Sequence, residues 1–188
     1  MFLKLAKKII FMEEIQANVP LRQSIPLDSK KIIKKTIVST VIFFVVVLAL
    51  AYPIASVFFV NIFGFQLFSL STIVLVSLVS LAICFFVAFW YQSAYFNSYF
   101  YDIKNDFLVI KKGVFTPKET TLPFEKITDV YVDRDIFDVV FGLFDVHVST
   151  PTVISGLAAH IDGVSAENAE KLKNVILQNV QTLPAYRQ

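Results

Sequence analysis

No Asp, Glu, Lys or Arg occurs from Thr36 through Tyr101, so all charge lies in the segments that flank this stretch. A run this apolar is not the core helix of a small soluble domain. It is long enough for two membrane crossings, at about 20 residues for each hydrocarbon core of roughly 30 Å. Backbone groups in lipid must be satisfied within the segment. Continuous apolarity without alternation therefore selects helices over barrel strands.

Asn61, Gly64 and Gln66 interrupt the run and divide it. The first crossing is expected over 36–60, centred on Ile42–Leu48, and the second over 67–95. The connection 61–66 is too short to be a domain, so the expected arrangement is a tight antiparallel hairpin with a short external loop. Lys30, Lys31, Lys34 and Lys35 abut the first crossing, and Lys104, Lys111 and Lys112 follow the second. The connection carries no Lys or Arg. The positive-inside bias then places both termini, and all that follows the second crossing, in the cytoplasm of a multi-pass membrane protein. Trp90, Tyr91 and Tyr95 supply an aromatic belt at the inner end of the second helix.

Residues 1–35 read as a basic amphipathic segment and linker. Lys4, Lys7 and Lys8 interrupt any hydrophobic core of a cleaved signal. Phe2, Leu5, Ile9 and Met12 recur at helical spacing between those lysines, as in a short helix on the inner membrane surface. A frayed tail is the alternative. Pro20 and Pro26 mark an extended linker, and Asp28 is placed to cap the helix that enters the first crossing.

Within the crossings, Pro53 predicts a kink, which membrane helices tolerate. Ser77, Ser80, Cys84 and Ala88 share one face of the second helix. Small residues at this spacing let helices approach closely, either within the hairpin or in self-association. No ionisable acid or base lies in either span, which argues against a pump or a proton-coupled transporter. Cys84 is the single cysteine, so there is neither a disulfide framework nor a thiolate metal cluster.

The formal net charge is +2, with the basic excess ahead of the first crossing and the acids late, at Asp129, Asp133, Asp135, Asp138 and Asp145. That is a membrane-surface pattern and excludes nucleic acid as the expected partner.

From Asn97 the pattern changes to short alternating runs. Phe107–Val109 ends at a Gly113 turn. A second run takes in Val114, Phe115 and, past Pro117, Thr120–Leu122. A third holds Ile127, Val130 and Val132. Phe144, Val146 and Val148 alternate with Asp145, His147 and Ser149, and Leu157, Ala159 and Ile161 alternate with Ala158, His160 and Asp162. These are half-buried antiparallel strands. Ser165 then caps a helix whose Ala169, Leu172, Val175, Ile176 and Val180 form one apolar stripe. The expected fold is a two-helix transmembrane hairpin followed by a small, mainly β domain over 97–183, a bent antiparallel sheet or barrel closed by a C-terminal α-helix.

Three segments carry a family resemblance. Tyr101-Asp102-Ile103 with Phe107–Phe115 looks like an opening hairpin, Leu122–Val130 like a strand entry, and Phe141–Thr150 like a phenylalanine-glycine-leucine strand. In that order they resemble the bacterial pleckstrin-homology-like domain of the YdbS/YdbT type, over roughly Tyr101–Val180. The resemblance implies a pleckstrin-homology-like (PH-like) fold and binding or scaffolding at the inner membrane, and it brings no catalytic residues. Eukaryotic lipid-binding versions use a basic cluster in the first hairpin loop. Here Lys104 precedes Asn105-Asp106 and Lys111-Lys112 come later, which is sparse for phosphoinositides.

Three sites merit weighing. A hairpin register opposing His147 to His160 would also oppose Asp145 to Asp162, giving four groups of a kind that bind zinc or another divalent ion. Ordinary polar positions on a half-exposed sheet are the commoner explanation. Ile136, Phe137, Val139, Val140 and Phe141 form a dense apolar segment, either a membrane-dipping or partner loop or a turn folded over the core. The needs of a small core favour the turn. Asp133, Arg134 and Asp135 read as a solvated strand end. With no glycine-rich phosphate loop and no nucleophile–base pair, the expectation is no enzyme, no cofactor and no metal. The expected function is a membrane-anchored binding or scaffold module whose partners are the lipid bilayer and proteins or further copies. A homo-oligomeric pore or an accessory subunit of a transport complex is the alternative.

Overall fold

The computed structural model describes residues 19–63, 70–151 and 159–182. Its helices are α1 (Leu21–Ser24), α2 (Lys30–Val46), α3 (Tyr52–Phe63), α4 (Leu70–Ser98), α5 (Ile136–Phe141) and α6 (Ala166–Thr182). Its strands are β1 (Phe100–Lys104), β2 (Phe107–Lys112), β3 (Lys118–Pro123), β4 (Asp129–Asp133), β5 (Phe144–Ser149) and β6 (His160–Val164). The chain divides into two compact units, residues 32–96 and the flanking segments 1–31 with 97–188.

The unit of residues 32–96 is helical. A π-helical turn, Val47–Ala51, joins α2 to α3 directly ahead of Pro53. Proline has no N–H for the carbonyl four residues back, and a widened turn accommodates that missing bond. The helical run begins at Lys30 and passes through Asn61, so it exceeds the expected 36–60 at both ends. Ile62 and Phe63 of the expected loop also lie in α3, and its residues 64–66 lie outside the described residues. α4 likewise continues to Ser98, beyond the expected end at Tyr95. Lys30–Ala55 and Val74–Ser98 are long and apolar enough to cross a membrane, and only 6% and 0% of their most apolar windows are buried. A core helix of a soluble protein would bury such a surface. Gln92 Nε2 donates to Ser39 Oγ at 3.3 Å, joining the early part of α2 to the late part of α4.

The other unit holds two three-stranded antiparallel sheets, β1-β2-β3 and β4-β5-β6. Alternation decides which side chains go inward. Val146 and Val148 of β5 are buried while Asp145, His147 and Ser149 between them are half-buried. Leu108 and Ile110, Leu122, Val130, and Ile161 and Val164 complete the core from the other strands, with Phe124 from the 3-10 turn that follows β3. α6 packs its stripe of Ala169, Leu172, Ile176 and Val180 against β4 and β5. Ser165 Oγ accepts from the Asn168 N–H at 3.3 Å, the expected cap. Two three-stranded sheets with a closing helix are consistent with the expected PH-like domain, with two sheets where one bent sheet or barrel was expected. Val175, expected in the stripe, is only half-buried. Val114 and Phe115, expected in a strand, lie in the β2–β3 turn, which Gly113 opens at φ 120°. Leu157 and Ala158 lie outside the described residues.

The expected linker is a structured strap on this domain. Leu21, Ile25 and Leu27 are buried. Leu21 N–H donates to Asp102 Oδ1 at 2.9 Å, the buried Tyr101 hydroxyl donates to Ile25 O, and Asn168 Nδ2 donates to Pro26 O at 2.8 Å. Asp28 Oδ1 accepts from Lys30 N–H at 2.9 Å, so Asp28 caps α2 as expected, while its own N–H reaches Gly163 O at 2.9 Å. Alternating patterns report on sheet faces. They carry no signal for a short irregular segment held by buried leucines and backbone hydrogen bonds.

Candidate functional site

The β4-β5-β6 sheet gathers the domain's polar chemistry. Tyr131, His147 and His160 stand opposite one another across the three strands. Their rings stack, with centroids 5.0 Å apart for Tyr131–His147 and 5.5 Å for His147–His160. The conditional histidine register is therefore the one adopted. The next pair is altered by a bulge, since Phe144 opposes Val164 while Val146 opposes Ile161. Gly163, at φ 76°, takes up the extra residue, and its N–H donates to Asp145 Oδ1 at 2.8 Å.

The four groups imagined from sequence as one patch are split by their other partners. Asp162 accepts from Lys31 Nζ at 2.8 Å through Oδ1, with side chains only 9% and 3% exposed, and its backbone carbonyl accepts from the same ammonium at 3.0 Å. Lys31 Nζ also lies 4.1 Å from the centre of the Tyr99 ring. The Tyr99 hydroxyl donates to His160 O at 2.9 Å, and Lys112 Nζ donates to that same carbonyl. Buried charges need such pairing and hydrogen bonding to persist. The lysine read from sequence as a topology charge is thus a bolt between strap and sheet. Lys34 is buried too, whereas Lys30 is exposed. Lys4, Lys7 and Lys8 lie outside the described residues.

A different trio comes together at the other end of this strand pair. Ligand atoms of Asp133, Asp145 and His147 lie within 4.8 Å of one another. Asp133 opposes Asp145 directly, a like-charge pairing that sheets disfavour. His147 Nε2 sits 3.1 Å from Asp133 Oδ1 and bridges toward it. Sequence reasoning missed this pairing because Asp133 lies on a third strand.

The apolar segment departs most from expectation. It forms α5 and does not fold over the core: Ile136, Phe137, Val139 and Val140 are exposed and Phe141 is half-buried. Asp138, its only polar residue, is fully buried. Asp135, expected on a solvated strand end, N-caps α5 by accepting from Asp138 N–H at 2.7 Å. Asp138 Oδ2 accepts from Asp135 N–H at 3.2 Å, completing a capping box. Arg134 places its guanidinium 4.6 Å from the centre of the Phe144 ring.

In α4, Ser77, Ser80, Cys84 and Ala88 are half-buried, while Phe86 between them and Trp90 just beyond are exposed. At the β1–β2 turn, Lys104 is followed by Asn105 in a left-handed conformation, φ 50°, and no basic cluster forms there. A shallow groove between α1 and α6 is lined by Leu21, Ile25 and Val175 with Lys171 and Gln178.

A family model described as a bacterial PH domain matches residues 32–180. The match bears on the family and not on the YdbS/YdbT type within it. No curated protein and no solved structure is matched.

Proposed function

The chain belongs to the bacterial PH domain family, and from that premise we propose that it is a non-enzymatic membrane protein whose α2–α3 and α4 helices anchor a PH-like binding or scaffold domain at the cytoplasmic face. One observation carries this reading: both helices are long enough to cross a bilayer and bury almost none of the residues in their most apolar windows. In water that surface would drive aggregation, whereas in lipid it needs no partner. PH-like domains of this family are generally non-catalytic.

The orientation rests on charge. Lys30 and Lys35 before the first crossing, and Lys104 and Lys111 after the second, favour the cytoplasmic side. Exposed Trp90 and Tyr91 suit the inner interface. The half-buried Ser77, Ser80, Cys84 and Ala88 face suits packing within the helix pair, to which the Gln92–Ser39 hydrogen bond also belongs. That use of the face favours an anchor over a pore.

The experiment is alkaline carbonate washing of membranes from cells expressing the full chain. Retention in the pellet is expected, and release into the supernatant would contradict the anchor.

A further inference from the structure

α5 is turned inside out. Its one polar side chain is fully buried and its four largest outward residues are apolar, with Ile136 83% and Val140 74% exposed. The capping box satisfies the Asp138 carboxylate where it is buried, through reciprocal hydrogen bonds with Asp135. Exposing apolar groups and burying a carboxyl are each unfavourable in water. The arrangement makes sense where the outer face of α5 meets something other than water.

We infer that α5 inserts into the boundary between headgroups and acyl chains of the membrane, an inference that rests on the anchor reading above. The tether selects lipid as the occupant. Only Tyr99 separates the last residue of α4 from the first of β1. On the other side, Asp28 and Lys31 at the start of α2 are held to Gly163 and Asp162. A domain joined to its spans by so little chain meets the bilayer surface at a high effective concentration. Short insertions of this kind use aliphatic and aromatic side chains, as Ile136, Phe137, Val139 and Val140 offer here.

The test uses the full chain with Cys84→Ser, reconstituted into vesicles of phosphatidylcholine and phosphatidylglycerol. Single cysteines replace Val140, Phe86 or Lys104, and each carries a polarity-sensitive fluorophore. Lys104, exposed at the β1–β2 turn, is the aqueous reference. Lipids bearing nitroxides on their acyl chains should extinguish most of the fluorescence at Phe86→Cys and Val140→Cys while sparing Lys104→Cys. Iodide should show the reverse. Quenching at Phe86→Cys with an iodide-accessible Val140→Cys would overturn the insertion and leave the anchor standing. A Val140→Cys label shielded from both quenchers would mean that a protein or a second copy covers α5, which also overturns it. Loss of lipid quenching at Phe86→Cys would remove the anchor reading itself.

Discussion

Lys31 Nζ lies 2.8 Å from Asp162 Oδ1, across 131 residues of sequence, with both side chains nearly excluded from solvent. The pair ties the strap to the edge of the β4-β5-β6 sheet. Removing either side chain takes a charge partner from the other at a buried site. Lys31→Met or Asp162→Asn should therefore destabilise the domain by about 3–5 kcal/mol. Lys31→Met combined with Asp162→Leu should recover part of that loss. Denaturation of the detergent-solubilised chain, followed by hydrogen exchange at β6 amides, measures both. Single variants as stable as the parent would show that the ion pair does not fasten the strap.

Gly163 lets the Lys31 stem reach its partner. A Cβ there would lie 2.5 Å from Lys31 Cδ on a backbone at φ 76°. Gly142 is also left-handed, at φ 68°, but has nothing within 4 Å of such a Cβ. Gly142→Ala should cost about 1–2 kcal/mol, the conformational term alone. Gly163→Ala adds an overpacking term of roughly 1–3 kcal/mol. Equal losses in thermal denaturation would mean that the Lys31 stem yields freely.

The Tyr101 phenol is pushed up to about 12 from its ordinary 10.0, by burial first, with Arg22 pulling weakly the other way. A raised folded pKa favours the neutral phenol. Its contribution is complete below about pH 10 and lost as pH rises toward 12. The full effect is on the order of 3 kcal/mol. Alkaline unfolding should therefore steepen in this window, and Tyr101→Phe should remove that share of the pH dependence. An unchanged alkaline profile in the variant would assign the transition to other groups.

α5 makes opposite demands of its polar and apolar residues. Asp138→Ala removes the capping box and should destabilise by about 1–2 kcal/mol. Val140→Ser, on the exposed side, should change stability by less than about 0.5 kcal/mol. Chemical denaturation distinguishes them, and a large loss at Val140→Ser would place that side chain against a core.

The sequence made some of this legible for physical reasons. Strands β4 and β5 are readable because one buried face imposes alternation, as in Val146 and Val148 between Asp145, His147 and Ser149, whereas β6 is bulged and buries Ile161 through Val164 in succession. The α6 stripe and its Ser165 cap were readable from helical spacing. The strap was not, since Leu21, Ile25 and Leu27 obey no periodicity. Lys31 reads as a flanking charge because nothing local announces a partner at Asp162. α5 was misjudged because apolar residues in a small domain are ordinarily assumed to face inward. Only the three-dimensional position of Asp138 shows that these do not.

Labelling with a membrane-impermeant maleimide in intact cells tests the anchored, oriented domain most directly. Two full-length variants in the Cys84→Ser background suffice, Asn61→Cys near the break between the crossings and Glu170→Cys on the exposed side of α6. The account predicts that Asn61→Cys reacts in intact cells and that Glu170→Cys reacts only after permeabilisation. Reaction of Glu170→Cys in intact cells, with Asn61→Cys protected, would contradict it.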